Sequence, residues 1–131
     1  MSTLFLSKND VRSLLNMADV IEAVEGALKD WALGRAKMPA KAYLVLEQGD
    51  FRAMPGAIPG AAGMKWVNVH PQNQSLGLPT VMAILIYNDP ATGYPLAVMD
   101  ATDITAYRTG ATAAIASKYL ARKNSHTLGI V

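Results

Sequence analysis

The chain has 131 residues, enough for one domain with a real core, since a chain of this size buries roughly 65–70 per cent of its unfolded surface. Twelve Lys and Arg against ten Asp and Glu leave a formal charge of +2, scattered along the chain, which argues against a nucleic-acid protein. There is no cysteine, so neither a disulfide framework nor a thiolate metal site is possible; no apolar run approaches the roughly 20 residues of a membrane span, and a cytoplasmic protein is expected.

The predicted elements begin with helices. Ser7 with Asp10 resembles a capping box opening a short helix through Leu15, and Asn16 with Asp19 opens a second. Val20, Ile21, Val24, Ala27, Leu28, Trp31 and Ala32 recur at helical spacing. Glu25 and Lys29 face outward as an i,i+4 pair, and Gly34 is the natural stop. From Lys41 the period becomes that of strands: AYLVLE (42–47), a turn at Gln48, Gly49 and Asp50, FRAMPG (51–56), a glycine-rich connection through Gly63, then MKWVNVH.

After a loop over 71–79 come TVMAILIYN (80–88) and PLAVMD (95–100), joined by DPATG, where Gly93 suits a left-handed turn position. Residues 101–122 read as a small-residue helix capped by Asp100 and Asp103, followed by a polar break at 123–126 and a strand-like TLGIV. The pattern predicts an α+β fold, with helices covering a mixed, largely antiparallel sheet.

Within the strand MKWVNVH, Lys65 shares a face with Gly63, Val67 and Val69. Such a lysine is either at a sheet edge with its ammonium in water or desolvated at a pocket wall; in the second case its pKa falls and it can exchange protons near neutral pH. Arg52 alternates with Phe51 and Ala53, Lys41 precedes an apolar strand, and Arg108 lies among small residues in RTGATAA. Four cations at apolar elements suit a small carboxylate and a phosphate-bearing cofactor. The four methionines Met54, Met64, Met82 and Met99 read as core filler. His70 and His126 have no acidic partner at ligand spacing, so no metal is expected.

The blocks MPAKAYL, FRAMP, GMKWVNVHPQN, GLPTVMA, TGYPLAVMDAT and YRTGATAAIASKYLARKNSHTLGIV together resemble the ornithine cyclodeaminase/mu-crystallin family, most of all its archaeal-type alanine dehydrogenase branch. The resemblance implies an NAD(P)-dependent protein whose N-terminal portion supplies the substrate pocket and the interface of a homodimer. It implies that Lys65 is the proton donor and acceptor, and that Lys41 and Arg52 hold the substrate carboxylate, with Met54 lining the same pocket. Thr80, Arg108 and Thr109 fall on the cofactor side. Arg52 favours the dehydrogenase branch, because the cyclodeaminases resemble one another in carrying a glutamate there.

In this family TLGIV is the first strand of a Rossmann domain, whose glycine turn follows at once, and a catalytic aspartate comes from beyond it. The resemblance therefore implies residues 1–126 as a substrate-binding and dimerisation domain and 127–131 as the start of a truncated Rossmann domain. The expected parent activity is conversion of L-alanine, NAD and water to pyruvate, ammonia and NADH. The alternatives are an ornithine cyclodeaminase-like lyase or a ketimine reductase and, for this chain alone, a non-catalytic dimerisation or ligand-binding domain.

Overall fold

The computed structural model describes residues 2–130. Its elements in chain order are β1 (Leu4–Leu6), α1 (Lys8–Leu14), α2 (Met17–Ala32), β2 (Ala42–Leu46), β3 (Gly49–Ile58), β4 (Ala61–Val69), a 3₁₀ turn (Pro71–Leu76), β5 (Val81–Asn88), β6 (Pro95–Asp100) and α3 (Thr102–Leu120). One six-stranded sheet runs in the order β1-β6-β5-β4-β3-β2. Every pairing is antiparallel except that of β1 with β6. The α+β reading with a mixed, largely antiparallel sheet is the observed fold.

Both helix starts follow from their caps. Ser7 and Asp10 form a reciprocal capping box, and the Asn16 side chain accepts from the backbone of Ala18 and Asp19. The turn before β6 places Gly93 at φ 75°, as the DPATG motif requires.

Several boundaries differ from the sequence reading. The first hairpin turns at residues 47–48, so Gly49 and Asp50 belong to β3. The supposed glycine-rich connection is itself strand: β3 runs to Ile58 and β4 begins at Ala61, with Gly56 paired to Gly63. Alanine and glycine have weak strand preference, and only the pairing of the two segments makes them extend. Pro55 is tolerated because it falls past the end of β2. Ala57, two residues on, directs its backbone groups to Lys37, so position 55 turns its missing N–H to the same open flank.

β1 leaves no signal in the sequence, since three residues carry no period and pair only with β6. The loop after β4 contains the 3₁₀ turn, and α3 closes at Leu120. The N-cap of α3 is Ala101, which makes no side-chain cap; Asp100, one position earlier, accepts from the Thr102 N–H at 2.9 Å, and Asp103 instead binds Arg12 at 2.8 Å and ties α1 to α3. Residues 127–130, expected as a strand, carry none and pair with nothing; Val131 lies outside the described residues.

The core lies between one sheet face and α3. Val67, Ala83 and Ala101 are buried there, with Met54, Val81, Leu85 and Ile104 packed around them. Small side chains on both sides let the helix approach the sheet closely. The predicted apolar stripe of α2 rests on α3 more than on the sheet, leaving Trp31 and Leu28 exposed.

The join between α2 and α3 is partly electrostatic. Glu25 receives hydrogen bonds from Tyr119 and from Lys118 at 2.9 Å, and pairs with Lys29 at 3.3 Å as the sequence predicts. The Tyr119 hydroxyl, then Lys118, lowers the Glu25 carboxyl from its ordinary 4.5 to about 2. A depressed carboxyl contributes stability above its unfolded value and loses it as pH falls through the folded value. Acid unfolding followed by circular dichroism should therefore show wild-type stability falling between about pH 4.5 and about 2 more steeply than Glu25→Gln. Parallel curves would exclude this tie as a contributor.

Candidate functional site

The cations converge on the helix-covered face. β4 is interior to the sheet, so the edge reading of Lys65 is ruled out. Lys65 stands opposite Met54 on β3 and Leu85 on β5, both of which pack on the core cluster. Directly paired residues share a face, so Lys65 points toward α3. There its ammonium donates to Thr105 Oγ1 at 3.3 Å, and the Thr105 hydroxyl in turn donates to the Ala101 carbonyl at 2.7 Å.

Lys65 is half-buried, and burial is the main cause lowering its pKa below 10.5; repulsion from Arg108 and then Lys41 adds to it. Like charges drawn together at a partly desolvated amine cost stability unless an anion offsets them. Among the described residues, none of Lys41, Lys65 and Arg108 has a carboxylate partner. Lys41 and Arg108 are both exposed, at the mouth of the site rather than its floor.

Arg52 lies on the same face, directly across from Val67 and Tyr43. It is not free: its guanidinium binds Asp50 at 2.6 Å and rests 5.4 Å from the Tyr43 ring centroid. Met54 lies two residues along β3 from Arg52, on the same face, and is paired directly with Lys65. The structure thus brings Lys41, Arg52, Met54, Lys65 and Arg108 to one region.

Thr80 and Thr109 are less closely drawn in. Thr80 precedes β5, while Leu85 is the residue opposite Lys65; that spacing along a strand is about 16 Å. Thr109 is exposed and donates its hydroxyl to the Thr105 carbonyl.

Sequence reasoning missed Thr105, Tyr43 and Asp50. Thr105 is three residues before Arg108, hence on the same helix face, and that spacing is a usable signal. Asp50 reads as a turn residue in the sequence, which removes it from the alternation that puts it beside Arg52. A shallow depression of about 580 Å³, lined by Lys37, Pro55, Met64 and Ile86, lies on the opposite sheet face and contains none of these cations. No cluster of three metal-ligating side chains occurs among the described residues, and no helix there is long and apolar enough to cross a membrane.

With this geometry established, similarity to known proteins decides the family. The model of the ornithine cyclodeaminase/mu-crystallin family matches residues 1–131. The chain belongs to this family. Among ornithine cyclodeaminase/mu-crystallin proteins, the alanine dehydrogenase of Archaeoglobus fulgidus is 56% identical over 131 residues, which is all of this chain and 41% of that protein. A Delta(1)-pyrroline-2-carboxylate reductase of Bacillus cereus is 39% identical over 132 residues, covering 98% of this chain and 41% of its own length.

Of solved structures, an archaeal alanine dehydrogenase dimer with bound NAD superposes with a TM-score of 0.93 at 58% identity, over 95% of this chain and 39% of that one. The Thermococcus litoralis Delta(1)-pyrroline-2-carboxylate reductase, in complex with NADH and L-proline, gives 0.91 at 43%, over 94% and 39%. The chain spans about two-fifths of the length of these relatives.

Proposed function

We propose that this chain is the substrate-binding and dimerisation portion of an NAD-dependent amino-acid dehydrogenase that interconverts L-alanine with pyruvate and ammonia. The observation that carries the reading is Lys65: a half-buried amine on a central strand, next to Lys41 and Arg108 and lacking a carboxylate partner. A small 2-oxo or amino acid would supply that missing negative charge. The boundary near residue 126 and a nucleotide-binding domain beyond it belong to the same proposal, supported by relatives more than twice as long.

In this reading Lys41 and Arg52 hold the substrate carboxylate, Met54 lines the pocket wall, and Lys65 exchanges a proton at Nζ with the substrate nitrogen or the attacking water. Its bond to Thr105 fixes the amine, and its lowered pKa favours giving the proton up. The charge of the protonated form also steadies a developing oxyanion. The donor set suits a dinucleotide: Arg108, exposed and with no carboxylate partner among the described residues, meets phosphate charge, while the hydroxyls of Thr80 and Thr109 retain acceptor capacity. When bound, the nicotinamide supplies hydride transfer at the substrate Cα.

The test is NADH oxidation by the full-length protein with pyruvate and ammonia. Turnover with Delta(1)-pyrroline-2-carboxylate in its place would favour the second reading, a cyclic-imine reductase, to which the Bacillus and Thermococcus relatives point. Proline formation from ornithine would favour a lyase. No turnover with any of them would overturn the enzymatic reading.

The dimer rests on the sheet face that no helix covers. Phe51 and Trp66 stack there at 5.4 Å, and Leu44, Leu46 and Ile84 stand 52%, 44% and 46% exposed. A contiguous apolar face of this kind fits a second copy of the chain, and the related archaeal alanine dehydrogenase is a dimer. Ile84→Arg is expected to shift the protein from dimer to monomer in light scattering; an unchanged mass would place the interface elsewhere.

A further inference from the structure

The Asp50–Arg52 pair has a directional geometry. Both residues lie on β3 two positions apart, so they share the face that carries Lys65. Arg52 donates its Nε–H to Asp50 Oδ1 at 2.6 Å and an Nη2–H to Oδ2 at 2.9 Å. That is the side edge of the guanidinium. Arginine has five N–H donors, and the end edge formed by Nη1 and Nη2 remains, a second fork matched to a carboxylate. Among the described residues no acceptor meets Nη1. The Tyr43 ring, 5.4 Å from Cζ, limits rotation of the plane.

The pair is also partly withdrawn from water, with 30% of the Arg52 side chain and 22% of Asp50 exposed. The Arg52 contact holds the Asp50 carboxyl below its ordinary range, so it stays ionised. Asp50 is thus a permanent negative charge at a site that otherwise presents Lys41, Arg52, Lys65 and Arg108. A ligand's first carboxylate meets the free edge of Arg52 and the unpaired cations. A second carboxylate is repelled by Asp50.

We propose that Asp50 is a positioning and specificity-determining residue: it grips one edge of Arg52 so that the other faces the substrate carboxylate, and its charge disfavours dicarboxylic substrates. This rests on the small-carboxylate reading above, and the test separates the two. Propionate and malonate differ by one carboxylate, so their binding to wild type, Asp50→Asn and Asp50→Glu is measured by isothermal titration. The malonate-to-propionate affinity ratio should rise about tenfold in Asp50→Asn, the scale of one solvent-screened charge contact, and Asp50→Glu should bring it back toward wild type.

In the full-length protein, Asp50→Asn should raise KM for pyruvate more than it lowers kcat, because the substrate-facing fork is no longer held. An unchanged ratio, or a lower KM showing that Asp50 merely competes with substrate, would overturn the proposal. If wild type turns over no 2-oxo acid, the functional reading falls, and the propionate and malonate titrations still decide the role of Asp50.

Discussion

Replacing Lys65 with methionine is expected to lower kcat/KM for the NAD-linked reaction by about two to four powers of ten, the range of a positioned acid or base, while the melting temperature holds or rises. The two halves of this result come from one cause. Lys65 is desolvated between β4 and α3 and repelled by Arg108 and Lys41, so its charged form is disfavoured in the folded chain. Methionine nearly preserves the stem and removes the charge, so packing beside Met54 and Leu85 is retained.

The sign follows from linkage. A lysine whose folded pKa lies below 10.5 binds fewer protons when folded than when unfolded, so wild-type stability rises with pH through that window. Lys65→Met should lack this rise. Lys65→Arg should keep the charge and still fail in catalysis, because an arginine does not release its proton. Thermal melts from pH 7 to 10 beside steady-state rates check both. A Lys65→Met variant with at least a tenth of wild-type turnover would remove Lys65 from the chemistry.

Gly63→Ala is expected to be among the most damaging single-methyl changes in the sheet, costing more than about 3 kcal/mol, at the upper end for point substitutions. Gly63 lies within β4, paired to Gly56 and Tyr87. A Cβ built there would run into the Ile86 carbonyl oxygen of β5, a backbone atom that cannot turn aside. Relief requires β4 and β5 to separate, and Lys65 is two residues along the same face. Denaturant unfolding and activity should therefore fall together. The control is Gly26→Ala, an exposed helical position where an added Cβ meets nothing within 4 Å; it should be neutral or stabilising. Equal stability of the two variants would show that β4 and β5 yield more readily than their pairing implies.

Local chemistry by itself determined much of this protein. The caps at Ser7 and Asn16, the helical stripe of α2, the turn at Gly93 and the α+β class follow from spacing and side-chain type, because each involves partners a few residues apart. The blocks around Lys65 and Arg108 are likewise sufficient to reveal the family. What adjacent residues could not determine lies where partners are far apart in sequence.

Residues 57–58 and 61–63 become strand only because β3 and β4 pair, and β1 exists only because β6 lies beside it, more than ninety positions later. The same holds for the site. Whether Lys65 faced water or a pocket depended on β4 being interior to the sheet and on α3 placing Thr105 and Arg108 above it. The occupation of one Arg52 edge by Asp50 needed the true start of β3, and hence a hairpin register set across two strands. Sequence determined which charges the chain carries; long-range pairing decided which of them meet and how much water they keep.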